Sequence, residues 1–327
     1  MKIGFTICSN NYLGQAKILQ TSFLEHNPDY KFFIGLVDLL DTSIDYKNEF
    51  NESVIVIEEK IIPGFDSFVE KYDIVELNTA IKPFLFKYLI QQYKPTYIHY
   101  LDPDIKVYGS IGVIDAELGN KSMLLTPHFY SPVPDDGLTP FENLALNHGI
   151  YNLGYLGVNA SHAEAIKCLD WWGLRTSHHG YSKVEAGFFV DQLWINLVPI
   201  FFKDVVITTH FGCNVGPWNL HERFFEDKGK TVVMDGDKKP LLFYHFSSYS
   251  FFKPDLLSKY YNRYSFTDRP DLVGLYNEYH QQMDDYKCSY YSGLNCRLNL
   301  KRAPKPTVKS TIKSYISRGV NKALSKI

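Results

Sequence analysis

Short apolar runs alternate along the chain with stretches whose hydrophobic residues recur at helical spacing. The first run, KIGFTIC, closes in the small polar residues Ser9, Asn10 and Asn11. In the next stretch, Ala16, Leu19, Phe23 and Leu24 share one helical face, which stops at Asn27 and Pro28. KFFIGLVD, ending in Asp38, and SVIVIEEK read as second and third buried strands. This β-α-β alternation predicts an α/β fold with a mostly parallel, Rossmann-like central sheet flanked by helices.

AIKPFLFKYLIQQY predicts a further helix, with Thr79 as its N-cap and Pro83 in its first turn. It leads into YIHYLDPDI, an apolar and aromatic run that ends in two carboxylates around one proline. SMLLTPH and VVITTH read as strands, SPVPDDGLTP as a loop and HAEAIKCLDWWGLR as a helix followed by a polar SHHGYSK loop. Residues 152–159, NLGYLGVN, are strand-like with two glycines, a sign of close backbone approach. In AGFFVDQLWINLVPIFF, Phe188, Val190, Leu193, Trp194 and Leu197 predict a helix that begins near Asp191 and Gln192. TVVMDG and PLLFYHFSSY predict a late strand pair, whereas residues 260–296 are Tyr-rich and carry no clear period.

The candidate chemistry gathers where strands end. In an open α/β sheet, ligands bind at the carboxyl ends of strands. There Asp102 and Asp104 offer hard oxygen donors for Mg²⁺ or Mn²⁺, with Pro103 fixing the backbone between them; the bland alternative is a solvated turn. His245 leaves an apolar run and completes a mixed Asp, Asp, His set, or else is a structural histidine. Ser247, Ser248 and Lys253 follow within reach of a phosphate. Asp191 reads as a nucleophile, a base or an acceptor-hydroxyl partner, or as an acid favoured in a first helical turn. Lys82 stands in a first turn, where the helix dipole disfavours a cation; it reads as the partner of a phosphate or an acid, or as a snorkelling surface lysine. Asn152, Asn159 and Asn214 lie next to or near glycines and present amides suited to sugar hydroxyls, with turn formation the alternative for Asn214.

Composition narrows the classes. With 327 residues and 45% hydrophobic content the chain can build a sizeable core, and its 24 Tyr and 23 Phe suit ring and sugar stacking. The N-terminus lacks the apolar core of a signal peptide, and no stretch approaches the roughly 20 apolar residues of a membrane span. Five scattered cysteines without a C-x-x-C read as reduced cytosolic thiols. Nine of the 34 basic residues and none of the 36 acids lie from Arg297 onward. That acidic body disfavours nucleic acid as a partner. The C-terminal part reads as a basic amphipathic helix suited to anionic lipid, or as a solubilising tail.

Taken in order, TICSNNY, IKPFLFKYL, YLDPDI as a D-x-D motif, NLGYLGVN, FVDQLWINLVP, GCNVGPWNLHER and HFSSYSFFKP resemble the GT-A glycosyltransferases, most closely bacterial enzymes related to glycosyltransferase family 8. The resemblance covers roughly residues 1–255 and implies a GT-A domain there, an extension over 256–300 packed on it, and a basic tail over 301–327. It implies Mn²⁺ or Mg²⁺ held by Asp102, Asp104 and His245 on the diphosphate of a nucleotide sugar, with UDP-sugars favoured. Thr6, Cys8 and Tyr12 would meet the base and ribose, Lys82 and Asn214 the donor, and Ser247 and Lys253 the leaving phosphate. Asn152, Asp191 and Gln192 would face the donor sugar and acceptor, with Asp191 near the reacting carbon of a retaining transfer. The acceptor would be a glycan or lipid-linked saccharide in bacterial surface polysaccharide synthesis, with the enzyme cytoplasmic and peripheral on the inner face of the plasma membrane. The chain departs from the family pattern in Pro103, in H-F-S-S, and in the absence of Trp after Lys253 and Pro254. A two-metal nucleotidyltransferase or phosphohydrolase would require further acids beside Asp102 and Asp104, and a sugar-binding module would not depend on them.

Overall fold

The computed structural model describes residues 1–294, 296 and 298. Seven strands form the central sheet: β1 (Lys2–Cys8), β2 (Tyr30–Leu36), β3 (Val54–Val56), β4 (Tyr97–Leu101), β6 (Met123–Leu125), β7 (Tyr155–Asn159) and β10 (Val205–Ile207). Their spatial order is β10-β6-β7-β4-β1-β2-β3. All neighbours are parallel except β7, which runs antiparallel to β4 and β6. The architecture is therefore mixed α/β, with a mostly parallel sheet flanked by helices, as the alternating pattern predicts. β1 lies inside the sheet and is buried from Ile3 to Cys8, which explains its unbroken apolar run: a strand covered on both faces has no polar side. Phe5 packs edge-on against Phe86 of helix Lys82–Tyr93 and against Tyr100 of β4, with ring centroids 4.7 and 5.3 Å away.

Smaller strand pairs complete the fold. β5 (Ile105–Val107) pairs antiparallel with β14 (Phe243–His245), β8 (Ser182–Lys183) with β9 (Phe188–Phe189), and β12 (Thr231–Met234) with both β11 (Phe224–Glu226) and β13 (Asp237–Pro240). TVVMDG thus pairs with the DKKP segment that follows it, and LLFYH crosses to β5 instead of forming the expected late pair. Their apolar runs mark both as strands and say nothing about their partners. The Tyr-rich segment after residue 260 forms helix Val273–Asp285, whose Tyr276 and Tyr279 are buried. Phe246 stacks on Tyr279 at 3.7 Å, so this segment shares a core with the strands around the site.

Three local expectations are corrected. Thr79 does not cap helix Lys82–Tyr93; it lies inside helix Ile74–Ala80, which Asp73 caps, and its hydroxyl donates to the Val75 and Glu76 carbonyls. Helix Ala163–His179 continues through the histidines assigned to a loop. The region around Asp191 is not one helix but β9, a 3₁₀ turn (Leu193–Leu197) and a single helical turn (Val198–Phe201). The predicted basic amphipathic tail lies outside the described residues. Among the described residues, no helix is long and apolar enough to cross a membrane.

Candidate active site

β4 ends at Leu101 and delivers Asp102 to the carboxyl edge of the sheet, where its N–H donates to the Gly154 carbonyl at 2.8 Å. The β5–β14 pair sets His245 opposite Ile105, beside Asp104, and the Phe246 N–H closes the corner on the Asp104 carbonyl at 2.9 Å. His245 Nε2 stands 3.0 Å from Asp104 Oδ1 and 3.8 Å from Asp102 Oδ2. The three ligand-type atoms lie within 4.8 Å of one another. Two hard carboxylates and one imidazole in such a cluster suit a small divalent cation. Burial pushes the Asp104 pKa up, but the His245 ring outweighs it and leaves the carboxyl below its ordinary range. Burial likewise depresses His245, and Asp104 and Asp102 reverse that shift.

Gly154 explains one of the two glycines in NLGYLGVN. A Cβ there would lie 2.5 Å from both Cε1 and Nδ1 of His245, inside any real contact distance. Gly154→Ala should therefore displace the histidine and, if the cluster takes Mn²⁺, weaken its binding by about tenfold or more, the scale on which a metal ligand's supporting contacts act. Titration calorimetry on the folded variant checks this, and wild-type affinity would refute the packing argument.

Lys82 resolves its dipole conflict with acid partners. Its ammonium is buried 3.1 Å from Asp191 Oδ2 and 3.6 Å from Asp102 Oδ1, donates to the Leu153 carbonyl at 3.1 Å, and lies 4.4 Å from the centre of the Tyr100 ring. The Lys82–Asp191 contact is an ion pair by distance, but it lacks hydrogen-bond alignment at Oδ2. Burial lowers the Lys82 pKa, and the two carboxylates raise it further still. Asp191 is pushed up to about 6, chiefly by burial, with Lys82 opposing. Its inward turn follows from Val190, a β-branched residue held at φ +40°, a sparsely populated conformation for its type. Trp172 of helix Ala163–His179 then fixes the Asp191 carbonyl with its indole N–H at 3.0 Å.

Two adjoining cavities meet at Asp102 and Asp104. A smaller one of about 220 Å³ is lined by Cys8, Tyr12, Asn78 and Thr79, among others. A larger one of about 590 Å³ is lined by Lys82, Asn152, Asp191, Gln192, His245 and Ser247, together with His128, His148, Phe189, Trp218, Tyr260 and Tyr261. Thr6 is buried inside β1, Asn214 is buried behind the cleft and Lys253 is exposed; none of the three lines either cavity. The Gln192 carboxamide is tied to backbone, accepting from the Leu153 N–H at 2.8 Å and donating to the His148 carbonyl at 3.0 Å.

Sequence reasoning passed over Tyr100, whose hydroxyl donates to Asp102, and Trp218, whose ring stands edge-on to His245 at 5.1 Å. Tyr100 looks like any strand residue in YIHYL. Trp218 sits in the quoted GCNVGPWNLHER motif, where a large aromatic between proline and asparagine was the available signal.

The fold and site together define an α/β protein with a carboxylate–histidine cluster at the mouth of a two-part cleft. No family model matches the chain. It is 26% identical over 278 residues to the uncharacterized protein YfnF of Bacillus subtilis (strain 168), covering 84% of this chain and 89% of that protein. It is 27% identical over 251 residues to YfnD of the same organism, covering 75% and 77%. Among solved structures, it is similar to the galactosyltransferase LgtC in complex with donor and acceptor sugar analogues, at 14% identity and a TM-score of 0.48, covering 87% of this chain and 96% of that one. It is also similar to the glycosyltransferase GlyE of Streptococcus pneumoniae TIGR4, at 13% identity and a TM-score of 0.47, covering 90% and 65%.

Proposed function

We propose that this chain is a metal-dependent glycosyltransferase that moves a sugar from a nucleotide-diphosphate donor, a UDP-sugar by preference, to a saccharide or lipid-linked acceptor. The observation that carries the reading is the Asp102, Asp104 and His245 cluster at the junction of the two cavities. A divalent cation bound there would neutralise the charge of a leaving diphosphate. The smaller cavity, with its aromatic and amide walls, would take the base and ribose, and the larger one the transferred sugar and the acceptor. Phe189, Tyr260 and Tyr261 line that cavity, and aromatic rings of this kind can stack on a pyranose. The buried Lys82–Asp191 pair would supply a fixed charge arrangement beside the transferred sugar, pre-set before substrate arrives. Retention of anomeric configuration, a place in surface polysaccharide synthesis and attachment to the inner face of the plasma membrane belong to the same proposal. A two-metal hydrolase fits less well: among the described residues, Asp102, Asp104 and His245 form the one such ligand cluster.

The test is a panel of nucleotide sugars with Mn²⁺, with and without chelator. One donor should be slowly hydrolysed or transferred in a chelator-sensitive way. Turnover of no donor, or turnover indifferent to chelator, would refute the reading.

A pH profile follows from Asp191. Because burial raises its folded pKa to about 6, the neutral acid is the form that the fold favours. Its contribution to stability is full below the unfolded value and is lost as pH rises through about 6. The Lys82 ion pair requires the carboxylate, so the transfer rate should fall below about pH 6. Initial rates against pH should show that acidic limb in the wild type and not in Asp191→Asn. An identical limb in both would assign it to another group.

A further inference from the structure

The carboxamides of Asn152 and Asn214 suit sugar hydroxyls by chemistry, yet the structure engages them elsewhere. Asn152 Oδ1 accepts from the Gly154 N–H at 2.9 Å and from Asn214 Nδ2 at 3.0 Å. Its Nδ2 donates to His128 Nε2 at 3.1 Å, and the other imidazole nitrogen faces the Ile150 carbonyl at 3.3 Å. That arrangement fixes His128 with its proton on Nδ1 and Nε2 as acceptor. Asn152 therefore has both acceptor positions and one of its two donors in use. Asn214 Nδ2 also reaches Thr126 Oγ1 at 3.0 Å, and Asn214 itself is 1% exposed at φ +48°.

These contacts join the two backbone segments that support the cluster. On one side, Gly154 is held by Asn152; its carbonyl accepts from Asp102 N–H at 2.8 Å, and its missing Cβ leaves room for His245. On the other side, Asn214 precedes Val215, whose carbonyl accepts from the His245 N–H at 2.7 Å. The Asn152–Asn214 link thus bridges the segment that places Asp102 to the segment that places His245. His128 braces the far side of Asn152.

We propose that His128, Asn152 and Asn214 are positioning residues, a clamp that holds the backbone supports of Asp102 and His245 in register. The inference rests on the metal reading given above. Outer partners of metal ligands typically change affinity by about 10–100-fold when removed.

The experiment is a Mn²⁺ titration by calorimetry on the full chain, held well below each variant's melting temperature. Asn214→Gly keeps the positive φ at no steric cost and removes the carboxamide. His128→Phe keeps a ring and removes the acceptor, and His128→Gln restores an acceptor. Asn214→Gly and His128→Phe should bind Mn²⁺ about 10–100-fold more weakly, and His128→Gln should recover most of the loss. A merely structural role would lower the melting temperature and leave the affinity of the folded protein unchanged, which would overturn the clamp. Should Asn214→Gly fail to fold, Asn152→Ala, which removes the other side of the carboxamide link, gives the same reading. A wild type that takes up no Mn²⁺ would sink the metal site and the clamp with it. Normal uptake in the wild type and unchanged uptake in the variants would sink the clamp alone.

Discussion

Asp104→Ala should lower metal-dependent donor turnover by about 10²–10³-fold, the usual weight of one preorganised group that stabilises developing charge. The carboxylate offers one of the three ligand-type atoms of the proposed cation site and stands 3.0 Å from His245. Its side chain is only partly buried at the cleft edge, so its loss should leave the fold intact. The variant should therefore keep the wild-type denaturation midpoint while losing both Mn²⁺ binding and turnover. Turnover within about threefold of wild type would mean that Asp104 is only a turn residue.

The second large effect lies away from the cleft, under the sheet. His99 is fully buried in β4; its Nδ1 meets the Tyr155 hydroxyl at 2.8 Å and its Nε2 meets Asp115 Oδ1 at 2.9 Å. Asp115 also accepts from the Tyr30 hydroxyl at 2.5 Å and pairs with Lys2 at 2.8 Å. Burial raises the Asp115 pKa, but His99, Lys2 and Tyr30 outweigh it and hold the carboxyl below its ordinary value. Such a group stabilises the fold above its unfolded pKa, and the contribution is lost as pH falls through the folded one. Asp115→Ala strands three buried or half-buried polar partners at once. Breaking a buried pair by removing one partner costs about 3–5 kcal/mol, and urea denaturation at neutral pH should show a loss of that size. A change below about 1 kcal/mol would show that water takes the place of the carboxylate.

Much of the fold was legible because its signals are local. β1 and β2 are covered on both faces and read as apolar runs, and Leu13–His26 carries its own helical period. Asp102 and Asp104 could be placed because a strand pattern ended just before them. The assembled site was harder to read, because its decisive contacts join residues far apart in the chain. The conflict of Lys82 with the helix dipole is consistent with a phosphate, an acid or a merely snorkelling side chain, and nothing local points to Asp191, more than a hundred residues on. The apolar spacing around Asp191 mimics a helix, and the positive φ of Val190 that breaks it is invisible to periodicity. Asn152 and Asn214 advertise the right chemistry for sugars, but a neighbour's hydrogen bonds decide whether a carboxamide is available. His99 and Asp115 drew no attention for the same reason: their meaning lies in a pairing that only the fold creates.

The proposed cation site would present a nucleoside diphosphate to the cleft. Calorimetric titration of UDP into the wild-type chain tests it most directly, run once with Mn²⁺ and once with excess chelator. UDP should bind with Mn²⁺ and bind about tenfold or more weakly under chelator, as loss of a bridging cation requires. Equal affinity under both conditions, or no binding in either, would contradict it.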